Sequence, residues 1–136
     1  RSRIEEGGWS LQTDLSERGG GEGAAPDPGI LFRETVAGCL VAGYRRWAVL
    51  RGVEVTTLEV EVEAEMDLRG DYGVGGVPPG YEGVRLRVRV GSPEPVDRGE
   101  ALLREAEGCS ALLAILRDPL SVEVHHEVNP LPLGRP

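Results

Sequence analysis

The chain has 136 residues, with 15 basic and 23 acidic side chains, and a formal net charge of −8 at pH 7. This length predicts one domain over residues 1–136, large enough to bury a core and small enough to gain stability from dimerisation. The charge argues against a nucleic-acid partner, and no segment approaches the roughly 20 apolar residues of a membrane span. No secretory signal is present, so we expect a cytoplasmic protein; the absence of a starting methionine leaves an upstream segment open.

The two cysteines, Cys39 and Cys109, are too few for a disulfide scaffold or a structural zinc site. His125 and His126 are adjacent, so on a strand they would point to opposite faces and would not share one metal. We therefore expect no metal and no cofactor. Two cytosolic thiols leave three alternatives: both are inert in the core, one is reactive, or they form a redox pair.

Residues 1–13 predict a short hairpin, with its turn at residues 5–8 and its second strand at residues 9–13. The glycine-rich residues 19–25 predict a loop. These glycines lack the strand and helix context of a phosphate-binding loop, so we reject nucleotide binding there.

The longest helical pattern begins at Asp27, a residue suited to cap a helix, and at Pro28, which suits the first helical position. Apolar residues then recur at spacings of three and four, on more than one side, until Gly52 supplies the stop. This pattern predicts a central helix covered by a sheet or by a partner subunit. Cys39 would lie more than two turns inside it, too far from its start to gain much from the helix dipole.

Two segments then alternate between apolar and charged residues, as strands with one buried face do. In the first, glutamates 59, 61, 63 and 65 separate apolar residues; in the second, arginines 85, 87 and 89 do so. Antiparallel pairing would set the glutamates against the arginines, which fixes the register and explains the arginine row without nucleic acid. The long connection, residues 67–81, is typical of a binding loop or subunit contact.

Residues 96–107 predict a helix that Gly108 breaks, and residues 111–116 predict a shorter helix that ends at Pro119. A thiol at a helix start has its thiolate favoured, so Cys109 is a candidate reactive cysteine. Residues 121–128 predict a final strand, and residues 129–136 a frayed tail. The predicted order β-β-α-β-β-α-α-β indicates an α+β fold, an antiparallel sheet packed on a long central helix.

Several motifs together resemble the OsmC/Ohr superfamily of thiol-dependent hydroperoxide reductases, in its DLRG-containing branch. In chain order they are VAGCLVAGY around Cys39, DLRG from Asp67, VPPGYE from Val77 and AEGCSALLAIL around Cys109. The resemblance covers nearly the whole chain. It implies the OsmC-like fold and a tightly intertwined homodimer with two active sites at the subunit interface.

The resemblance also implies a reaction on organic hydroperoxides. The Cys39 thiolate would attack the peroxide O–O bond and become a sulfenic acid, and Cys109 would condense with it to a disulfide. An external dithiol reductant, a lipoyl group or a small thiol, would then reduce the disulfide. A buried Cys39 would need a cationic partner, which in the family is an arginine from the N-terminal region.

The chain departs from the family pattern at the start of the central helix. The family glutamate that follows the helix-start proline is absent, since Gly29 and Ile30 occupy its positions, and Glu34 would lie elsewhere on the helix. The family arginine is not fixed by the sequence. Its candidates are Arg1, Arg3 and Arg18.

The second cysteine position is also open, because counting back from the final strand places it on Ser110, one residue after Cys109. The leading hypothesis is a peroxidase with Cys39 as its nucleophile and Cys109 as its resolving thiol. A one-cysteine peroxidase and a non-catalytic, small-molecule-binding OsmC-like dimer are the alternatives. Phe32 and Tyr81 are candidates for lining an apolar pocket, whereas core packing is the better expectation for Trp47.

Overall fold

The computed structural model describes residues 2–118 and 120–128, and within them it confirms an α+β fold. The described strands form two antiparallel sheets of two strands each, β1–β2 and β3–β4. The strands are β1 (Ser2–Glu6), β2 (Trp9–Thr13), β3 (Thr57–Met66) and β4 (Tyr81–Gly91). The helices are α1 (Pro28–Arg51), α2 (Leu68–Asp71), α3 (Val96–Gly108) and α4 (Ala111–Arg117), preceded by a 3-10 turn at Glu17–Gly19.

The N-terminal hairpin is confirmed over residues 2–13, but its turn is shorter than predicted. Glu6 pairs with Trp9, so Gly7 and Gly8 alone form the turn, and Glu5 belongs to β1. Both glycines have positive φ angles, 58° and 81°. A two-residue turn of this kind matches the twist of the paired strands, and glycine adopts it without steric cost.

Helix α1 begins and ends where the sequence predicts. The Asp27 carboxylate accepts the Gly29 N–H at 2.8 Å, and Gly52 closes the helix in the left-handed conformation. One row of residues along α1 is buried: Val36, Leu40, Tyr44 and Ala48. No helix in the described residues is both long and apolar enough to cross a membrane.

Strands β3 and β4 pair antiparallel in the predicted register. Glu59, Glu61 and Glu63 lie opposite Arg89, Arg87 and Arg85, respectively. The Arg87–Glu61 pair, at 2.8 Å, is typical of this exposed ladder. Exposed ion pairs contribute little stability individually, so the main effect of the ladder is to penalise a shifted register. The opposite face carries the apolar residues that pack on α1.

A β-bulge interrupts the ladder near the start of β4, a feature that the alternating sequence pattern did not predict. Glu65 pairs with Gly83 and Met66 with Tyr81, so Glu82 is the extra residue. Strict alternation would place Tyr81 on the charged face with Arg85. The bulge instead turns Tyr81 to the apolar face, where its ring stacks on Phe32 with centroids 4.8 Å apart.

The long β3–β4 connection is anchored by the DLRG segment. Asp67 caps α2 by accepting the Arg69 N–H at 3.0 Å, and its carboxylate also pairs with the Arg69 guanidinium. Gly70 is buried, and a Cβ there would overlap the carbonyl oxygen of Pro78. The DLRG and PPG segments are therefore packed against each other, which brings the two ends of the connection together.

Helix α3 packs against the C-terminal half of α1. Leu102 packs with Ala48 and Val53 in one small cluster. The buried Tyr44 hydroxyl donates a hydrogen bond to the Glu107 carboxylate at 3.0 Å. Burial first, and the Glu107 carboxylate second, raise the pKa of Tyr44 above its ordinary range.

The predicted final strand is wrong for the described structure. Residues 121–128 form no strand, and Val122, Val124 and Val128 are 77%, 67% and 89% exposed. Each two-stranded sheet leaves its outer edges open, but residues 121–128 pair with none of the described strands. An alternating sequence therefore does not form a strand by itself. The His125 Nε2 atom lies 3.9 Å from a carboxylate oxygen of Glu123. The predicted frayed tail, residues 129–136, is outside the described residues.

We expect Gly70→Ala to lower the free energy of unfolding by about 1–3 kcal/mol, the usual cost of overpacking. Gly99→Ala is the matched control, because Gly99 lies within α3 and open space surrounds its missing side chain. That variant should gain up to about 1 kcal/mol from helix propensity. Urea unfolding measures both. Equal stability of the two variants would contradict the close packing of Gly70 on Pro78.

We expect Tyr44→Phe to reduce the loss of stability above pH 10, the ordinary pKa of a tyrosine. The pKa of Tyr44 is raised in the folded chain, so the unfolded chain loses this proton first. Stabilisation is therefore complete below the unfolded pKa and declines as the pH rises above it. At neutral pH the variant should lose about 1 kcal/mol with its hydrogen bond.

Urea unfolding across the alkaline range measures this effect, with Tyr72→Phe as the control because Tyr72 is 72% exposed. The control should follow the wild-type profile. Identical alkaline profiles for Tyr44→Phe and wild type would show that Tyr44 ionises equally in both states.

Candidate functional site

Cys39 lies in the middle of α1, as predicted, but it is not buried. Its side chain is exposed and the thiol is free. Leu40, the next residue, is 2% exposed and faces the core. Cys39 therefore lies beside the buried row of α1, on a side that the described residues of the single chain leave uncovered.

Cys109 is also a free, exposed thiol, but it does not occupy a helix start. It ends α3, where its N–H donates to the carbonyl of Ala106 at 3.2 Å. Ser110 is the N-cap of the next helix, α4, and its hydroxyl accepts the Leu113 N–H at 3.3 Å. Cys109 therefore lies between the end of α3 and the cap of α4, and the prediction that it occupies the helix start is wrong.

The two thiols are not bonded to each other. Tyr44, which contacts Glu107 of α3, follows Cys39 by five residues. Five residues turn an α-helix by about 140°, so α3 packs on a different side of α1 from Cys39. Both cysteines are unbonded.

The candidate arginines differ in their surroundings. Arg3 lies on β1 and pairs with Glu5, and Arg18 lies in the 3-10 turn. Arg1 is outside the described residues. No hydrogen bond joins Cys39 to an arginine within residues 2–118 and 120–128.

Asp14 shapes the loop that carries Arg18, a role that the sequence pattern did not predict. Its side chain is only 4% exposed, and its carboxylate accepts the N–H groups of Glu22 at 3.2 Å and Ala24 at 3.0 Å. A Cβ at Gly21 would overlap the carbonyl of Leu15, so only glycine fits this turn. An aspartate following a strand and preceding a glycine-rich segment is the available sequence signal.

The space beside Gly29, one of the two residues that follow the helix-start proline, is already occupied. A Cβ on Gly29 would lie 3.0 Å from the Asp27 carboxylate, 3.2 Å from the Tyr81 hydroxyl and 3.4 Å from the Arg33 guanidinium. A longer side chain at this position would have to displace these groups. The start of α1 therefore carries one carboxylate, Asp27, that is already engaged as the helix cap.

An open groove of about 520 Å³ lies between the start of β4 and α4. Phe32 and Tyr81 line it, as predicted. Trp47 does not; it packs against the core, with the Arg51 guanidinium 5.2 Å from its ring centre. Cys39 does not line the groove, but it follows Phe32 by seven residues, which places it on the same stripe of α1, about 10 Å further along.

Comparison with solved structures finds related folds. An organic hydroperoxide resistance protein OsmC from Legionella pneumophila is 21% identical, with a TM-score of 0.61 over 80% of this chain and 74% of that one. An OsmC-like protein from Mycoplasma pneumoniae is 13% identical, with a TM-score of 0.70 over 86% and 79% of the two chains. An OsmC-like hydroperoxide resistance protein from Jannaschia sp. CCS1 is 23% identical, with a TM-score of 0.62 over 90% and 77%.

These low identities establish a common fold and nothing finer. No curated protein matches the sequence. A model of the OsmC-like protein family, however, matches residues 19–125, which is most of the chain and includes both cysteines. The chain therefore belongs to the OsmC-like family.

Proposed function

We propose that this protein is a thiol-dependent peroxidase that reduces organic hydroperoxides through Cys39. The observation that carries the proposal is a free, exposed thiol on the central helix of an OsmC-like chain. Two of the similar structures are named hydroperoxide resistance proteins, which supports a role in peroxide stress. A cytoplasmic location stays a prediction.

In the first step the Cys39 thiolate attacks one oxygen of the hydroperoxide and the O–O bond breaks. The sulfur keeps that oxygen as a sulfenic acid, and the other oxygen leaves as an alkoxide that takes a proton to become the alcohol. Exposure of Cys39 supports the access that this step needs. The cation that favours the thiolate is proposed to be an N-terminal arginine, and Arg18 is the better candidate because Arg3 is held by Glu5.

In the second step a thiol attacks the sulfenic acid sulfur and water leaves. We propose Cys109 for this role, with an external dithiol, lipoyl or small, reducing the resulting disulfide. Both thiols are free in this structure, so one of them has to move towards the other before this bond forms. An external thiol acting directly on Cys39 is the one-cysteine alternative, and it needs no such movement.

We propose that the protein works as a homodimer. Apolar side chains on α1 are uncovered in the single chain, with Val49 82% and Leu50 63% exposed. On the hairpin, Ile4 is 63% exposed and Trp9 78%. A lone two-stranded hairpin is marginally stable in water, which supports a second copy as its cover.

A non-catalytic, small-molecule-binding dimer is the second candidate function. The groove favours it, because a cavity of this size suits a small molecule and Cys39 does not line it. The absence of the family glutamate at Gly29 is consistent with lost turnover.

We expect Cys39→Ser to abolish peroxide consumption, because it removes the attacking sulfur. The measurement is a single-turnover thiol count with intact mass, before and after one equivalent of cumene hydroperoxide. Wild type should lose two thiols and about two mass units if a disulfide forms, or gain about 16 mass units if the sulfenic acid persists. Turnover that survives in Cys39→Ser would remove Cys39 from the mechanism.

Cys109→Ala separates the two mechanisms in the same assay. If Cys109 resolves the sulfenic acid, this variant should complete the first step and then accumulate sulfinic acid at Cys39. Unchanged over-oxidation would assign resolution to an external thiol. No mass change in wild type would favour the binding function.

We expect light scattering to give about twice the chain mass of 14.6 kDa. Val49→Glu should shift the protein towards monomer, because it places a charge in the proposed apolar interface. Val96→Glu is the control, since Val96 is a similarly exposed valine, at 78%, at the start of α3. A monomeric wild-type protein would contradict the dimer.

A further inference from the structure

The groove between β4 and α4 combines apolar walls with one aromatic surface. Val84, Leu86 and Leu113 form part of the walls, and the Phe32–Tyr81 stack forms one end. Tyr81 is 37% exposed although Phe32 covers part of its ring. Aromatic rings favour offset stacking on one another, so an exposed, oriented tyrosine ring favours an aromatic ligand over a flexible chain. The β-bulge at Glu82 is the cause of this orientation.

Arg117, the last residue of α4, lines the same groove. It makes no hydrogen bond or ion pair with the part of the chain that the structure describes. Most arginines outside the N-terminal region behave differently, since Arg51, Arg69, Arg85, Arg87, Arg89, Arg98 and Arg104 are all paired with carboxylates. The positive charge of Arg117 also interacts with the buried Tyr44, where it opposes the rise in the pKa of that tyrosine.

Glu82 is the one acidic residue that lines the groove. As the bulge residue it has no partner across the ladder, and it interacts electrostatically with Arg69 of the DLRG segment. The positive charge of Arg69 therefore partly balances the negative charge of Glu82. The cation available to a ligand is Arg117.

We propose that this groove binds a small aromatic carboxylate. The ligand ring stacks beside Tyr81 against the apolar wall, and its carboxylate pairs with the Arg117 guanidinium, whose planar donor geometry suits a carboxylate. The cavity of about 520 Å³ is within the usual range for small-molecule sites. This site is separate from Cys39, so the inference holds whether or not Cys39 turns over peroxide.

The test is calorimetric titration of the full chain with 2-naphthoate, alongside the neutral 2-naphthamide. We expect saturable 1:1 binding of the acid, weaker binding of the amide, and weakening of the acid by added salt. Arg117→Gln should weaken 2-naphthoate roughly three- to tenfold, which corresponds to one exposed or half-exposed charged contact. It should leave 2-naphthamide unchanged.

Three controls sharpen the result. Arg104→Gln removes an exposed arginine of α3 that is paired with Glu100, and it should bind 2-naphthoate as wild type does. Tyr81→Leu should weaken both naphthyl ligands, whereas Tyr81→Phe should not. Cys39→Ser should bind 2-naphthoate normally even though it cannot act on peroxide, which separates this inference from the proposed peroxidase.

Several outcomes would overturn the inference. One is the absence of saturable binding, which is also the result expected if a second copy of the chain fills the groove. Another is equal affinity of wild type and Arg117→Gln for 2-naphthoate. Decanoate binding at least as tightly as 2-naphthoate would overturn the aromatic preference.

Discussion

A sheet of two strands covers only one side of a long helix, and this constraint governs the rest of the molecule. Helix α1 has 24 residues and is about 36 Å long, and the ten residues of β3 extend for about 33 Å, so helix and strand match in length. Two strands are only about 5 Å apart, however, and α3 adds cover to a second side alone. The row from Val36 to Ala48 is buried, while Val49, Leu50 and Cys39 stay uncovered. Whatever covers this side sets the surroundings of Cys39.

The β3–β4 pair both fixes the register and shapes the groove. A slip of one residue would turn every apolar side chain of a strand to the solvent, and the opposed rows of glutamate and arginine disfavour that slip. The ladder ends at the bulge, where the alternation of apolar and charged residues between the two faces is broken at one residue. Tyr81 returns to the apolar face because Glu82 is inserted ahead of Gly83. The groove therefore depends on a departure from the alternation that defines the strand.

Local signals explain what the sequence predicted well. The bounds of α1 follow from Asp27, Pro28 and Gly52, each of which acts on its own helix end. The register of β3 and β4 was predictable because the row of glutamates on one strand pairs with the row of arginines on the other. The role of the DLRG motif was not predictable from its letters, since Gly70 is constrained by Pro78, eight residues away and packed onto it in the fold.

The features that the sequence did not predict depend on residues far away in the chain. The bulge places the Tyr81 ring on Phe32, 49 residues earlier in the chain. The buried Asp14 gains its partners from N–H groups eight and ten residues further on. Residues 121–128 carry an alternating pattern but pair with no described strand, so the pattern alone was insufficient. Cys109 was predicted to lie at a helix start, but the next residue, Ser110, caps that helix.

Thiol chemistry requires access for the substrate and stabilisation of the thiolate, and the position of Cys39 on α1 supplies only the first. Access follows from its exposed side of α1, but a residue in the middle of a helix gains little from the helix dipole. In the proposed reaction, stabilisation of the thiolate must therefore come from a group outside α1. The described chain bonds no cation to Cys39, and its best N-terminal candidate, Arg18, sits on a loop that the buried Asp14 holds in shape. The same uncovered side that exposes the thiol is where we propose that a second copy binds. Activation of Cys39 and burial of α1 are thus linked in this proposal, since one partner surface would serve both.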